Sequence, residues 1–462
     1  MEFGILSILP SILAIVLALA TKNVFLALFA SLLVGNFILS GYSLMGMLVG
    51  SKDMIVNVFS SSSSTSIIII LLTLGGMFYL IEKAGGLKGF TALMIKKRSI
   101  VKSRVGAELF TWIIGVLVFI DGTLSVMITG SISRPLTKAF GISPEKTAWI
   151  VHSTATPMSI LVPIAAYGPY IASFIEAQGI ENPTTQMVRG IGFNFYCIFA
   201  VLGVAVFVLL KKDFGPMKKA EAAYIAAATG SVSGEDDSEM AGDPSKAKFL
   251  LIPMVVMIVV TIAYIFYSGS GNLMDGDAET GLIFGIMAGT IYLIIAMAVT
   301  KMGSAMNNIS TFFQGCGNMM DIVAIMVFAY ALSNLLGSLG TADYLSGVLV
   351  KLISPAIFTA IAFLFTCVIS FATGTSAGTI AIMMPILLPM ALALNVHIPM
   401  IVGAVAGGAV FGDHSSPISD TTIMTCSSTD CDVVSHVKTQ LPYSLCFAGG
   451  AIALYLVLGF IL

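Results

Sequence analysis

One polar segment near the C-terminus stands out from this apolar chain: Gly412-Asp413-His414-Ser415-Ser416-Pro417-Ile418-Ser419-Asp420-Thr421-Thr422. Two carboxylates, an imidazole and five hydroxyls follow directly after an apolar run in a chain that is otherwise strongly apolar. An ionisable side chain at the centre of a membrane helix costs about 2.5 to 3.5 kcal/mol, so such a cluster needs an internal polar cavity, partners or a bound ion. The cluster therefore predicts a transport pathway through a membrane protein.

The overall composition supports this interpretation. Hydrophobic residues make up 57% of the 462 residues and charged residues 10%, and the mean hydropathy is +0.99, far outside the range of soluble domains. Many apolar runs approach the length of about 20 residues that spans a bilayer as a helix, and none alternates like a β-barrel strand. We expect an all-α polytopic membrane protein with about 11 to 14 membrane segments, some of them broken or re-entrant.

Charge and cysteine content exclude other classes of function. The net charge is −2, and the basic residues cluster beside helix ends, so nucleic acid is not an expected partner. The six cysteines are scattered and lack metal-ligand spacing, so we interpret them as small apolar residues and expect no cofactor.

Basic clusters predict the orientation in the membrane. One connection carries the basic residues between Lys83 and Arg104, and another begins with those between Lys211 and Lys219. The positive-inside rule makes both connections cytoplasmic, and counting back places the N-terminus outside. We expect a multi-pass protein of a bacterial inner membrane. It would have a first transmembrane repeat at 1–210, a flexible cytoplasmic linker at 211–248 and a second repeat at 249–462.

A weak internal similarity supports the two repeats. The segments at 121–125 and 373–377 resemble each other, and so do those at 153–157 and 413–417. Because the first half starts outside and ends inside, the second half starts inside, so equivalent segments run in opposite directions. This is the inverted repeat of many secondary transporters, whose binding site lies where the repeats meet.

The site residues are predicted from the polar interruptions, two in each half. Glycine or proline combined with hydroxyl side chains breaks a spanning helix and turns carbonyls and helix ends toward a site. The alternative is that small hydroxyl residues only permit close helix packing. The candidate ion- or substrate-binding residues are Asp121, Thr123, Ser125, Ser153, Thr154, Thr156, Thr373, Thr375, Ser376, Asp413, His414, Ser415, Ser416, Ser419, Asp420, Thr421 and Thr422.

The oxygen-rich cluster predicts a hard cation as ligand. We expect Na⁺ at Asp413, Asp420, Ser416 and Thr421, because carboxylate and hydroxyl oxygens suit such an ion. A desolvated carboxylate can also exchange a proton for Na⁺, so Na⁺ and H⁺ are the expected coupling ions. His414 either takes part in proton-linked sensing or donates a hydrogen bond beside Asp413.

Two other classes of function, a membrane hydrolase and an ion channel, fit the sequence less well. Asp413, His414 and Ser415 are the residue types of a catalytic triad, but consecutive side chains diverge and cannot converge on one atom. No Gly-x-Ser-x-Gly elbow, zinc motif or nucleotide loop is present, so a membrane hydrolase or a pump is not expected. An ion channel remains open as an alternative, although an inverted repeat with dispersed carboxylates favours alternating access.

The cluster also resembles the signature of the NhaC family of sodium/proton antiporters, from Phe411 to Thr422 and on through Asp432 and the run His436–Tyr443. The resemblance extends to Asp121, Arg134-Pro135-Leu136 and the segment 153–157. It implies Na⁺/H⁺ exchange, and by analogy with the larger ion-transporter group it implies a homodimer with two re-entrant hairpins per chain.

This chain departs from the plain antiporters of the family at two positions. It has His414 where they often carry lysine, and Ile423 where they often carry asparagine. The histidine form resembles a branch associated with sodium-coupled amino-acid transport. The second passenger is therefore H⁺ alone, an amino acid or a small carboxylate.

Overall fold

The computed structural model describes residues 3–21, 23–96, 101, 103–119, 122–163, 165, 167–228, 243–271, 276–341, 344 and 354–461. Within these ranges the chain is helical and has no β-strand, as predicted. The α-helices are α1 Leu9–Thr21, α2 Val24–Leu39, α3 Leu44–Ser60, α4 Ser62–Lys83, α5 Gly86–Lys96, α6 Arg104–Leu117, α7 Gly122–Ala139, α8 Pro144–Leu161, α9 Tyr167–Glu176, α10 Pro183–Ile191, α11 Phe195–Leu210, α12 Gly215–Ala228, α13 Lys248–Ser268, α14 Ala278–Val299, α15 Ala305–Gly317, α16 Met320–Ser338, α17 Pro355–Thr373, α18 Ser376–Ala393, α19 Ile398–Ser415, α20 Asp420–Thr429 and α21 Val433–Gly459.

The membrane class is confirmed by the lengths and composition of these helices. Among the described residues, eight helices or continuous helical segments are long and apolar enough to cross a bilayer: Ser64–Lys83, Pro183–Leu210, Pro244–Ser268, Glu279–Val299, Met320–Ser338, Pro355–Thr373, Ser376–Ala393 and Val433–Gly459. Shorter apolar helices cover Gly4–Ala18 and Val24–Leu39. Other helices, such as α9 and α20 with ten residues each, are too short to span a bilayer, which a membrane protein tolerates where the broken backbone is buried in protein.

The first of two helical hairpins is formed by α6 and α7. The Arg104 guanidinium, at the start of α6, donates to the Gly141 carbonyl oxygen just beyond α7, at 3.2 Å. Both helices therefore have their outer ends on the same side, and the chain turns back between them. Arg134 of α7 also pairs with Asp430 at 2.8 Å, two residues before the Asp432 cap that starts α21. The base of this hairpin lies beside the first turn of α21.

The second hairpin, α17 and α18, has its base at the other end of α21. Gly459, the last residue of α21, packs directly against the Ala356 carbonyl at the start of α17. His397, which follows α18, lies with its ring 5.1 Å from Phe193, and the Phe193 carbonyl accepts a 2.7 Å hydrogen bond from Tyr455 of α21. Because α21 has 27 residues and is about 40 Å long, the two hairpins enter from opposite sides. The expected inverted, re-entrant architecture is present.

The register of the repeat differs from both sequence matches, by two residues for 121–125 with 373–377 and by six for 153–157 with 413–417. Helices α7 and α18 begin 254 residues apart (376 − 122), α8 and α19 also 254 (398 − 144), and α9 and α20 253 (420 − 167). The match of 153–157 with 413–417 was therefore wrong, because this spacing makes Ser159 the counterpart of Asp413. Serine, threonine and proline recur too often in membrane helices to fix a register, and Pro157 lies inside α8 rather than at its break.

The expected flexible linker, 211–248, contains secondary structure. Gly215–Ala228 forms α12 and Pro244–Ala247 a 3₁₀ helix that leads into α13, while residues 229–242 lie outside the described ranges. Alanine, glutamate and lysine are strong helix formers, which explains α12. Glu221 of α12 is buried, pairs with Arg104 and accepts a 2.7 Å hydrogen bond from the Ser143 backbone, so this part of the linker packs against the transmembrane body.

Candidate functional site

Four helix N-termini converge on one cavity of about 100 Å³. They belong to α7, α9, α18 and α20, and they contribute Thr123, Tyr167, Ser376 and Asp420 to its lining. Asp413, the third residue from the end of α19, also lines it. The first backbone N–H groups of a helix have no partner within the helix itself, so four such ends concentrate polar groups around the cavity.

Two hydrogen bonds join the two repeats at this cavity. The Thr123 hydroxyl, at the start of α7, donates to Asp420 Oδ2 of α20 at 3.3 Å. At the starts of α9 and α18, the hydroxyls of Tyr167 and Ser376 lie 2.7 Å apart. Helix α7 corresponds to α18 and α9 to α20 in the repeat. The α7–α20 hydrogen bond is therefore the counterpart of the α9–α18 hydrogen bond. Such reciprocity is what a two-fold relation between two units produces.

Local sequence explains why the chain breaks at these points. Gly374 has φ +67° and ends α17 in the left-handed conformation that glycine adopts without strain. Thr375 then caps α18 by accepting the Gly378 backbone N–H at 3.4 Å. In the other break, Ser419 caps α20 by accepting the Thr422 N–H at 3.4 Å. The capping hydroxyls that signalled the breaks in the sequence therefore also form them.

Asp413 is the most deeply buried carboxylate of the site, with 1% of its surface exposed. Its Oδ1 accepts hydrogen bonds from the hydroxyls of Ser419 and Thr421, the latter at 2.9 Å. Its Oδ2 accepts no hydrogen bond from any residue that the structure describes. A buried carboxylate oxygen without a donor is expensive unless a proton or a cation joins it.

Two buried histidines, His152 and His436, lie behind this carboxylate and form a hydrogen-bonded chain with it through Thr421. His152 Nε2 is 3.0 Å from the Thr421 hydroxyl, and His152 Nδ1 is 3.0 Å from His436 Nε2. When Asp413 is ionised and the Thr421 hydroxyl donates to it, His152 donates from Nε2 and accepts at Nδ1, and His436 donates from Nε2. Every hydrogen bond in the series His436, His152, Thr421, Asp413 then points toward the carboxylate, so the bonds reinforce one another.

His414 takes a different place from the one its position beside Asp413 suggests. Its Nδ1 lies 3.3 Å from the Tyr196 hydroxyl, and its ring centroid lies 4.5 Å from that of His152. The Gln440 amide donates to its backbone carbonyl at 2.7 Å. The described contacts of the His414 ring are with aromatic groups and not with the Asp413 carboxylate.

The remaining predicted residues divide between the cavity and the helix interfaces. Asp413, Asp420, Thr421, Thr123, Thr375 and Ser376 line the cavity together, and Ser419 reaches it through Asp413. Thr154 and Thr373 donate back to carbonyls one turn earlier in their own helices, and Thr422 donates to the Asp413 carbonyl at 3.2 Å. Ser125, Ser153, Thr156, Ser415 and Ser416 are buried but do not line the cavity. Asp121 lies outside the described residues.

Sequence reasoning did not place four functional neighbours in the site: His152, His436, Tyr167 and Tyr170. The two histidines had a usable signal, because the chain has only four histidines and a buried imidazole in a membrane protein needs a partner. The tyrosines had none, because a tyrosine in an apolar run is ordinarily a core residue. Tyr170 donates to the Ala377 carbonyl at 2.8 Å and thereby joins α9 to α18.

An inverted pair of re-entrant hairpins around a buried carboxylate defines a secondary transporter. Comparison with known proteins agrees, because the model of the Na⁺/H⁺ antiporter family matches residues 169–460. The chain belongs to this family, so it is a multi-pass secondary transporter and not an enzyme.

Individual relatives share about a third or fewer of their aligned residues with this chain, or match it over only part of its length. A protein of Haemophilus influenzae without an assigned function is 29% identical over 98% of this chain and 91% of its own length. The malate-2H⁺/Na⁺-lactate antiporter of Bacillus subtilis is 32% identical over 28% of each chain. Among solved structures, the YdaH transporter of Alcanivorax borkumensis has a similar fold, with a TM-score of 0.62, 13% identity and 90% coverage of both chains.

Proposed function

We propose that this chain exchanges Na⁺ for H⁺ by alternating access, and that Asp413 is the carboxylate at which the two ions compete. The observation that carries the proposal is the Asp413 Oδ2 atom, buried at the cavity and accepting no hydrogen bond from the described residues. A proton or a Na⁺ ion would satisfy this oxygen equally, but both cannot occupy it at once. Binding of one ion therefore releases the other, which is the requirement of an exchanger.

The Na⁺ ligands we propose differ in one member from the set expected from the sequence. Asp413, Thr421 and Asp420 line the cavity, whereas Ser416 does not, and its hydroxyl accepts the Ile418 N–H at 3.4 Å. Ser419, which bonds to Asp413 Oδ1, takes its place. Hydroxyl and carboxylate oxygens are hard ligands suited to Na⁺.

The described geometry also supports a direction of access. A larger cavity continues from Asp420 to Glu82 at the end of α4, next to the basic residues that the positive-inside rule assigns to the cytoplasm. We infer that this conformation opens toward the cytoplasm, with the N-terminus outside. A bacterial inner-membrane location and a homodimer remain predictions.

The test is Na⁺-driven proton movement in proteoliposomes, recorded with an internal pH dye. Asp413→Asn keeps the volume of the side chain but removes its charge, and we expect it to abolish the Na⁺-dependent signal while the melting temperature shows a folded protein. Ser415→Ala, at a buried position two residues away that does not line the cavity, is the matched control and should keep the signal. Normal exchange by the Asp413→Asn protein would remove this carboxylate from the mechanism.

A further inference from the structure

A second cavity adjoins the ion cavity and is too large for ions alone. Its volume is about 310 Å³, within the range of pockets that enclose small organic ligands. It shares Thr123, Tyr167, Tyr170, Ile322, Ala377 and Asp420 with the ion cavity. Solutes in the two cavities would therefore lie side by side, separated by the Asp420 side chain and the starts of α7, α9 and α18.

The walls of this larger cavity are mainly apolar and aromatic. They are formed by Leu71, Leu74, Gly75, Phe78, Tyr79, Tyr167, Tyr170, Met319, Ile322 and Ala377. Water and a metal ion gain nothing from such a lining, whereas an organic body gains the free energy of leaving water. A few polar groups set among apolar walls are typical of sites that fix the orientation of a small molecule.

The charged side chains among the described lining residues of the cavity are acidic. Asp420 lies at its inner end and Glu82 at its outer end, with Thr123 and Asn318 as neutral groups. No lysine or arginine is among its described lining residues; Lys83 holds its ammonium 4.9 Å from the centre of the Tyr79 ring, at the outer end. An anionic solute such as a dicarboxylate would meet two like charges here, whereas a cationic solute would meet a carboxylate and tyrosine faces that attract cations.

We propose that this cavity binds an organic ammonium compound with an apolar body, its ammonium group against Asp420 and its body between α4, α9 and α16. The inference rests on the proposed function, because it treats the cavity as the passage to the ion site. It names the chemical class of a further, organic passenger beside Na⁺ and H⁺: an amine or an amino acid rather than a carboxylate.

The test uses one apolar body with different charges. Purified full-length protein is titrated with phenethylamine, 3-phenylpropionate and 2-phenylethanol, and with L-phenylalanine, and the melting temperature is recorded with and without Na⁺. We expect stabilisation by phenethylamine or phenylalanine and none by the acid or the alcohol. Phenethylamine binding identifies a free amine as sufficient, whereas binding of phenylalanine alone identifies an amino acid; both results support the ammonium requirement.

Two variants test separately the charge of Asp420 and the free volume of the cavity. Asp420→Asn should weaken binding of the ammonium probe at least about tenfold, and Met319→Trp should weaken it by filling the cavity without changing a carboxylate. Asp53→Asn, at an exposed position of α3, is the matched control and should bind normally. Equal binding of the acid, undiminished binding to the Asp420→Asn protein, or no response to either ammonium compound would overturn the inference. A Na⁺ response of the unaltered protein that persists in these cases leaves the proposed exchange intact, whereas a missing Na⁺ response of the unaltered protein counts against the exchange itself.

Discussion

His152 Nε2 lies 3.0 Å from the hydroxyl of Thr421, and this contact joins the histidine chain to the carboxylate of the ion site. Thr421 is thereby held in one rotamer, with its proton directed at Asp413 Oδ1. A threonine on the first turn of a half-helix would otherwise choose among several rotamers. The contact with His152 therefore orients Thr421, one of the proposed Na⁺ ligands, although His152 does not itself line the ion cavity.

Removing the Thr421 hydroxyl tests this role. Thr421→Val keeps the shape of the side chain but loses the hydrogen bond to Asp413, and hydrogen bonds to charged groups contribute about 1.5 to 3 kcal/mol. We expect the apparent Na⁺ affinity to fall about 10- to 100-fold, measured from the Na⁺ dependence of exchange in proteoliposomes. Thr425→Val is the control, because the buried Thr425 hydroxyl, one turn further along α20, has no hydrogen-bond partner among the described residues. Equal affinities of the two variants would contradict the assignment.

The two histidines nearest the site should differ in importance. His152→Phe removes the donor to Thr421, and the loss of about 1 kcal/mol should raise the Na⁺ concentration for half-maximal exchange several-fold. His414→Phe should change it less, because the described contacts of that ring are with Tyr196 and His152 rather than with Asp413. A larger effect at His414 than at His152 would show that the residue next to Asp413 in sequence is also its functional neighbour.

The break before α18 depends on Gly374. Gly374 has a left-handed backbone, which is strained for any residue with a Cβ atom. A Cβ at this position would also lie 2.9 Å from the Ile418 side chain, in the neighbouring break. Gly374→Ala should therefore lower stability by about 1 to 2 kcal/mol and slow exchange. Gly449→Ala, in α21, should be neutral or stabilising, because the added methyl group would meet no neighbouring side chain or helix within 4 Å among the described residues. Thermal unfolding of both variants measures the difference, and a stable Gly374→Ala protein would refute the strain argument.

A buried ion-pair network should control stability away from the cavity. Lys146 bonds to Glu108 at 3.1 Å and to Asp213 at 2.9 Å, and its side chain is 4% exposed. Lys146→Met would leave two carboxylates without their shared cation, which we expect to destabilise the protein by about 3 to 5 kcal/mol. The melting temperature in detergent checks this, with Lys52→Met, on an exposed surface pair, as the control. A melting temperature equal to that of the control would show that water or other groups compensate.

Much of the architecture could be predicted from the sequence, because it follows from strong local signals. Hydropathy gave the membrane class, and glycine, proline and capping hydroxyls located the breaks at Gly374 and Ser419. The register of the repeat could not be read, because residues such as Ser153 and Pro157 serve helix packing as readily as helix breaks. Nor could the histidine chain be predicted as a unit, since His152 and His436 are 284 residues apart and meet only through the packing of α8 against α21.

The opposed hairpins have a consequence for the kinetics of the protein. Each hairpin is anchored at a different end of α21, and both tips end at the same small cavity, so an ion arriving from one face meets the tip of the hairpin rooted at the other. Passage then requires the protein to rearrange once for every ion. We expect the rate of exchange to saturate with Na⁺ concentration and to be limited to the number of conformational turnovers per second, without the unitary conductance steps of an open pore.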